Sequence, residues 1–151
     1  MGLSEDFKEF IKLLNEKGVK YLIVGGYAVA YYGNPRYTKD IDLWIWPNEN
    51  NAEKMVETLK DFGFSSLGLT KSDFFNPDNI IQLGYPPNRI DLITDLTGVD
   101  FEVCFANRQE VEMDELKINF ISLDDLIANK IKTGRHQDLA DVQKLNKKKK
   151  G

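Results

Sequence analysis

The sequence predicts a single domain of the α+β (mixed α/β) class, and three observations support this fold class. The chain has 151 residues, which allows one hydrophobic core and is too short for two. Short apolar runs bounded by glycine or proline indicate strands, and the clearest is Tyr21–Val24 before Gly25-Gly26. Amphipathic segments with capping residues lie between these runs and indicate helices. Helices and strands are therefore mixed along the whole chain.

The first helix begins at a capping serine, Ser4, and ends before Gly18. Apolar residues recur at helical spacing between them, so one face of this helix is buried. A strand over residues 20–26 follows directly, and a short apolar helix over residues 27–32 comes next. The pair Gly25-Gly26 therefore lies at a strand-to-helix junction. Free backbone N–H groups there can meet an anion, and glycine lets a phosphate come close.

A turn started by an Asn-Pro pair covers residues 34–39 and places Arg36 and Lys39 beside the next strand, over residues 40–46. Residues 64–75 show no clear pattern. The remaining sequence predicts a helix over 48–62, a hairpin of strands 80–85 and 89–94, a helix over 97–107, a hairpin of strands 110–113 and 116–121 turning at Asp114-Glu115, and helices over 122–133 and 137–146.

The C-terminal segment combines a short helix with a run of lysines. The helix over residues 137–146 places three apolar residues on one face, with Asp138 and Asp141 off that face. A lysine run at the very end of a chain is more often a solvated, disordered segment than a binding element. We therefore expect a folded domain over residues 1–146 and a disordered basic tail over residues 147–151.

Composition narrows the classes of function. The net charge is −4, but without the five lysines near the C-terminus the body has 15 basic and 24 acidic residues. This argues against broad DNA binding, which needs clustered cations, although a local basic groove for one RNA stays possible. No apolar run is long enough to span a bilayer and no signal pattern begins the chain, so we expect a cytoplasmic protein. The single cysteine, Cys104, has apolar neighbours and is expected to be a buried hydrophobe.

Two aspartates at the start of a strand form the principal candidate site. Asp40 and Asp42 are two residues apart, so their side chains share one face of the strand, roughly 6–7 Å apart. Carboxylates held this close repel each other unless a cation lies between them, and oxygen ligands suit Mg²⁺ or Mn²⁺. The alternative is a solvated strand end with two surface carboxylates. Asp91 lies between apolar residues in a later strand, and it would complete a three-carboxylate cluster if that strand is adjacent.

Three further residues have weaker claims to a role in the site. Trp44 and Trp46 have the same parity as the aspartates, so both are expected on the carboxylate face of a regular strand. There an indole could stack on a nucleobase, although packing in the core is the more common use. The only histidine, His136, lies between two polar residues and is expected to be exposed rather than catalytic.

These residues form a recognisable pattern. Gly25-Gly26, then Asp40-Ile41-Asp42 thirteen residues later, and the isolated Asp91 resemble the DNA polymerase β-like nucleotidyltransferase superfamily. Lys130 and the segment over residues 135–141 resemble the C-terminal motifs of its small bacterial members, including the abortive-infection toxin type. The resemblance covers roughly residues 19–145.

The resemblance implies a nucleotidyltransferase-like mixed sheet flanked by helices, and transfer of a nucleoside monophosphate from an NTP to a hydroxyl of a small molecule, a tRNA or a protein. Asp40 and Asp42 would bridge two Mg²⁺ or Mn²⁺ ions, with Asp91 holding the ion nearer the acceptor. Nucleotide-binding residues would be Gly25, Gly26, Arg36, Thr38 and Lys130. Arg36 could instead pair with an aspartate of the cluster, and Asp138 is expected to hold Arg135 or Lys130 rather than a metal.

Departures from the family pattern leave open what the protein acts on. Many superfamily members have Gly-Ser where this chain has Gly25-Gly26, so a hydroxyl contact to phosphate is missing. Little of the sequence follows the motif region, which argues against a long polymer as substrate. An antitoxin is an expected partner if the protein belongs to a toxin–antitoxin pair. The alternative function is a catalytically silent nucleotide-binding or partner-binding domain with the same fold.

Overall fold

The fold is a six-stranded mixed sheet with seven α-helices in the part of the chain that the computed structural model describes, residues 3–33, 40–76, 78–85 and 88–150. This confirms the predicted mixed class. In chain order the elements are α1 (Glu5–Lys17), β1 (Tyr21–Val24), α2 (Gly25–Tyr31), β2 (Asp40–Ile45), α3 (Glu49–Asp61), α4 (Lys71–Phe75), β3 (Ile80–Leu83), β4 (Arg89–Ile93), α5 (Phe101–Ala106), β5 (Gln109–Met113), β6 (Leu116–Phe120), α6 (Leu123–Thr133) and α7 (His136–Lys150).

The strand order across the sheet is β3-β4-β2-β1-β6-β5. Strand β2 runs parallel to β4, and β1 runs parallel to β6, while the other neighbours are antiparallel. Both hairpins expected from the sequence are present, β3 with β4 and β5 with β6. Strand β1 is buried along its whole length, which explains its continuous apolar sequence, whereas in β2 the two aspartates are only partly buried.

Local sequence signals account for several element boundaries. The Ser4 hydroxyl accepts a hydrogen bond from the backbone N–H of Phe7 at 3.2 Å and caps α1. Ser122 caps α6 in the same way through the N–H of Asp125. Asp114 and Glu115 both have positive φ angles, 51° and 66°, as a tight two-residue hairpin turn requires. These capping and turn predictions are confirmed.

The structure also shows the surroundings of the cysteine and the conformation of residues 64–75, for which the sequence shows no clear pattern. Cys104 is buried in α5, and burial raises the pKa of its thiol to about 12, so it acts as a small hydrophobe as predicted. Between α3 and β3 the chain forms a 3-10 turn, Ser65–Leu67, and then α4. Thr70 and Asp73 form a capping box at the start of α4.

The C-terminal helix differs from its prediction in two ways. Helix α7 continues to Lys150, beyond the predicted end at residue 146, so it includes the whole lysine run over residues 147–150. The division between a domain over 1–146 and a tail over 147–151 stays a prediction. Burial does not follow the predicted apolar face, because Leu139 on that face is 47 % exposed whereas Asp138 and Asp141, off it, are buried. Ion pairs with Lys130 of α6 explain how two carboxylates tolerate this burial.

Two more points concern boundaries and membranes. The helix predicted over residues 97–107 is shorter in the structure, because Asp100 caps α5 by accepting a hydrogen bond from the N–H of Val103.

The predicted turn over residues 34–39 lies outside the described residues. Within the described ranges, no helix has both the length and the apolar character needed to cross a bilayer.

Candidate active site

Three aspartates from two neighbouring strands converge on one side of the sheet. Strand β2 carries Asp40 and Asp42, and the parallel strand β4 carries Asp91, which pairs in register with Asp42. Carboxylate oxygens of the three residues lie within 4.8 Å of one another. Because directly paired residues point to the same face, this register brings the third carboxylate to the other two. The adjacency on which the predicted cluster depended is therefore present.

Arg89, at the start of β4, is the cation that the structure places on this cluster. Its Nε donates to Asp91 Oδ1 at 2.9 Å, and its Nη2 donates to Asp91 Oδ2 at 3.0 Å and to Asp40 Oδ2 at 2.9 Å. This planar fork suits a carboxylate held by both oxygens. One guanidinium thus compensates two of the three aspartates and fixes the orientation of Asp91.

Asp42 has the most perturbed protonation in the cluster. Its burial, followed by the nearby charges of Asp40 and Asp91, raises its pKa from about 3.8 to about 7. Burial also raises the pKa of Asp91, against the opposing effect of Arg89. A partly buried carboxylate whose ionised form is disfavoured by desolvation and by two like charges suits a divalent cation, since added positive charge would offset both effects. The all-oxygen donor set fits Mg²⁺ or Mn²⁺.

This perturbed group predicts a pH dependence of stability. Asp42 binds its proton more tightly in the folded than in the unfolded protein, so unfolding releases a proton between about pH 4 and pH 7. We expect the metal-free protein to lose stability as pH rises through this window, and Mg²⁺ to restore stability more strongly at pH 8 than at pH 6. Calorimetric Tm values measured in chelator and in Mg²⁺ check both expectations. The same pH slope in Asp42→Asn would contradict them.

Gly25 provides the space that Asp42 occupies. It begins α2 directly after β1, as the predicted strand-to-helix junction requires, and its φ angle of +66° is in the left-handed region. A Cβ at this position would lie 2.1 Å from Asp42 Oδ2. Glycine is therefore required twice, for the backbone conformation and for the close approach of the carboxylate.

We expect Gly25→Ala to displace Asp42 and to remove Mg²⁺-dependent stabilisation. The left-handed backbone alone costs about 1–2 kcal/mol for a residue with a side chain. Gly63→Ala is the matched control, because Gly63 also has a positive φ, +97°, but an added Cβ there meets no atom within 4 Å. Thermal unfolding with and without Mg²⁺ compares the variants. If Mg²⁺ raises the Tm of Gly25→Ala as much as it raises the Tm of Gly63→Ala, an added Cβ at residue 25 does not displace Asp42 and the steric argument is wrong.

A cavity of about 190 Å³ lies beside Asp42, between the end of β1 and the helices α6 and α7. Lys130, Arg135 and Asp138 line it together with Gly25. Its position next to the carboxylates and its two cations make it the candidate place for a nucleotide phosphate.

The cations lining this cavity belong to an ion cluster in which Lys130, Asp138 and Asp141 are buried and Arg135 is exposed. Lys130 Nζ lies 3.1 Å from Asp138 Oδ1 and 3.3 Å from Asp141 Oδ2, and Arg135 Nε donates to Asp138 Oδ2 at 2.7 Å. Burial alone would raise the pKa of Asp138, but hydrogen bonds from Arg135, Thr133 and Lys130 outweigh it and hold the pKa well below its usual range. Asp138 thus holds both cations, as expected. A contact between Lys130 and a triphosphate stays a prediction.

The other candidate residues have mixed outcomes. Arg36 and Thr38 lie outside the described residues, so their nucleotide-binding role stays a prediction. Trp44 meets the Phe101 ring edge-on at 5.1 Å, and Trp46 stacks on the same ring at 6.2 Å, so both pack against α5. Core packing, the alternative to nucleobase stacking, describes Trp44, whereas Trp46 is partly buried and lies under Lys20 Nζ at 4.8 Å. His136 is exposed, as expected.

Sequence reasoning did not identify Arg89 as a site residue. One signal was available, because Arg89 is two residues before Asp91 and therefore shares its strand face. Its contact with Asp40 depends on the pairing of β2 with β4, which places Asp40 directly opposite Arg89. The ion pair of Arg36 with an aspartate of the cluster, the alternative to its contact with a nucleotide, stays a prediction, because residues 34–39 lie outside the described ranges.

Comparisons with known proteins agree with this site. A family model described as "Nucleotidyl transferase of unknown function (DUF2204)" matches residues 3–151. Among curated proteins, no sequence matches the chain. The fold is similar to that of the Thermotoga maritima protein TM1012, a proposed nucleotidyltransferase, with a TM-score of 0.62, 20% identity, and coverage of 93% of this chain and 91% of that one.

Two further solved structures share the fold at low identity. The lincosamide antibiotic adenylyltransferase LnuA aligns with a TM-score of 0.54 and 15% identity, covering 97% of this chain and 98% of that one. An antigenic nucleotidyltransferase-like protein from Paracoccidioides brasiliensis has a TM-score of 0.55 and 18% identity, covering 95% and 77%. The resemblance to nucleotidyltransferases is confirmed. Because the family model covers nearly the whole chain, the protein belongs to the nucleotidyl transferases of unknown function grouped as DUF2204.

Proposed function

We propose that the protein transfers a nucleoside monophosphate from an NTP to a hydroxyl group in a reaction that depends on Mg²⁺ or Mn²⁺. The observation that carries this proposal is the convergence of Asp40, Asp42 and Asp91 beside the glycine junction of β1 and α2. Arg89 compensates Asp40 and Asp91, whereas the ionised form of Asp42 is disfavoured by burial and by both neighbours, so a further cation would stabilise it. A triphosphate, in turn, needs its charge neutralised before a nucleophile can approach.

In this reaction the acceptor oxygen attacks the α-phosphorus, the bond from that phosphorus to the bridging oxygen breaks, and diphosphate leaves. Divalent ions at the three aspartates would supply neutralisation of the triphosphate and a more acidic acceptor hydroxyl. Asp91 takes the acceptor proton, and Arg89 keeps its carboxylate oriented through both oxygens. Gly25 leaves room for Asp42, while the backbone N–H groups of Gly25-Gly26 face the phosphates.

A small molecule is the acceptor class that the comparisons favour. LnuA, whose structure covers almost the same length, is a lincosamide adenylyltransferase bound to lincomycin. ANT(2'')-Ia, an antibiotic-resistance factor, also shares the fold, with a TM-score of 0.54. On this basis ATP is the first donor to test and hydroxyl-bearing small molecules are the first acceptors. A tRNA end and a protein hydroxyl are the next acceptor classes.

The test is transfer of label from each α-labelled NTP to fractionated metabolites, RNA and protein in Mg²⁺. We expect Asp91→Asn to lower transfer about 100-fold, the lower end of the range for a general base, while Mg²⁺-dependent NTP binding remains. Glu112→Gln is the matched control, because Glu112 is an exposed carboxylate on β5. Binding without transfer to any fraction by the wild-type protein would favour the catalytically silent nucleotide-binding domain instead.

A role in a toxin–antitoxin pair and a cytoplasmic location belong to the same proposal. The support for the toxin role is the resemblance of Lys130 and residues 135–141 to the C-terminal motifs of small bacterial superfamily members. Expression of the wild-type protein alone should slow bacterial growth, and Asp42→Asn should not. Equal growth of both strains would contradict the toxin role, but it would not contradict the proposed nucleotidyl transfer.

A further inference from the structure

The two edges of the sheet differ in how they are protected. Strand β5 forms one edge, and it carries Glu110 and Glu112, two exposed carboxylates. Glu110 lies 3.3 Å from Lys117 of the neighbouring strand and 3.5 Å from Arg108. Charged side chains on an edge strand discourage pairing with another chain, because their burial would cost their hydration. The β5 edge is therefore protected.

Strand β3 forms the opposite edge and lacks this protection. Among the described residues it pairs on one side only, with β4, and its four residues, Ile80–Leu83, contain no ionisable side chain. Ile80 of β3 is 69 % exposed, and two aromatic residues close to β3 in the sequence are also exposed, Phe75 at 49 % and Tyr85 at 87 %. An uncharged edge strand with an exposed isoleucine is suited to strand pairing with another chain.

We propose that β3 pairs with β3 of a second copy of this chain, in antiparallel orientation, and joins two sheets into one of twelve strands. The same strand on both sides makes a self-complementary contact about a two-fold axis, and the absence of charge on β3 means that no like charges meet. Pairing of β3 with β5 of another copy would bury Glu110 and Glu112 beside Ile80. Each added copy would leave one β3 and one β5 edge unpaired, so the assembly would grow into an open chain of copies. The two-fold pairing of β3 with β3 ends at two copies, and it leaves both charged β5 edges exposed to solvent.

This arrangement has a consequence for the carboxylate clusters. Gln82 of β3 pairs in register with Asp91 of β4, so Asp91 lies one strand from the proposed contact. An antiparallel two-fold pair in a continuous sheet keeps corresponding faces on the same side. Both clusters would therefore open on one face, with the two Asp91 residues separated by three strand spacings, roughly 14 Å across the strands.

The oligomeric state of the full chain tests the proposal and does not depend on any activity. Sedimentation equilibrium over a concentration series should give a mass of twice 17.3 kDa for the wild-type protein. Ile80→Lys should shift the mass to that of one chain, whereas Gln109→Lys, which adds the same charge to the exposed edge strand β5, should remain a dimer. A wild-type monomer throughout the series would overturn the proposal, as would an Ile80→Lys variant with the wild-type mass.

Cysteine cross-linking keeps the test decisive if Ile80→Lys fails to fold. Ile81→Cys and Gln82→Cys place a thiol in the middle of β3, while the native Cys104 is buried and provides the background in the wild-type chain. Under oxidising conditions at least one of the two variants should form a covalent dimer that a reductant reverses. If both remain single chains under conditions in which their thiols are free, the β3 pairing is wrong.

Discussion

Asp42→Asn is expected to abolish nucleotidyl transfer, with a loss of about 1,000-fold or more. A metal centre contributes several kcal/mol to stabilising transition-state charge, and each 1.36 kcal/mol corresponds to a factor of ten in rate. Asp42 is the aspartate flanked by both Asp40 and Asp91, and its loss removes the ligand nearest to Gly25. In Asp42→Asn, Mg²⁺-dependent NTP binding should vanish together with transfer. In Asp91→Asn, by contrast, NTP binding should remain while transfer falls. Label transfer and isothermal titration measure the two effects.

The same substitution should have the opposite effect on the metal-free protein. Asparagine removes a carboxylate whose ionisation is disfavoured by burial and by its neighbours, so Asp42→Asn should be at least as stable as the wild-type protein in chelator at pH 8. Glu112→Gln, the exposed control, should change neither stability nor NTP binding. A destabilised Asp42→Asn in chelator would show that Asp42 stabilises the fold itself rather than a cation site.

The carboxylate cluster could be predicted because its signals are local to each strand. Asp40 and Asp42 share a face by the period of two, and apolar neighbours mark Asp91 as an unusual charge within a buried strand. The glycine pair at the end of β1 was equally visible. What no single strand encodes is the register of β2 with β4, which is decided by packing of the whole sheet. For that reason Asp91 was a conditional member of the cluster and Arg89 was missed.

The C-terminal half shows a second limit of sequence reasoning. Helical periodicity placed Leu139, Val142 and Leu145 on one face of α7, with Asp138 and Asp141 off that face. The structure buries Asp138 and Asp141 instead, because Lys130 on α6 compensates both. The spacing of apolar residues predicts which side chains are buried only where the hydrophobic effect drives their burial. An ion pair between two helices depends on both helices, so the sequence of either helix alone does not reveal it. Capping signals such as Ser4 and Ser122 succeeded because they act within a few residues.

Lys130→Met is expected to lower the free energy of unfolding by about 3–5 kcal/mol, the typical cost of breaking a buried ion pair by removing one partner. Lys130 is 7% exposed and is paired with Asp138 and Asp141, which are 1% and 0% exposed. Asp138 would keep its bonds to Arg135 and Thr133, whereas Asp141 would keep the Gln137 amide at 3.0 Å. Chemical denaturation with urea measures the change.

Two further variants separate the structural part of Lys130 from its predicted contact with a triphosphate. Lys144→Met removes an exposed lysine from α7 and should leave stability unchanged. The double variant Lys130→Met/Asp141→Leu removes both members of one pair, and replacing a buried pair by apolar groups often restores stability, so it should regain much of the loss. If this refolded double variant binds Mg²⁺-NTP as tightly as the wild-type protein, Lys130 acts only on the fold. If its binding stays weak, the charge of Lys130 reaches the phosphates.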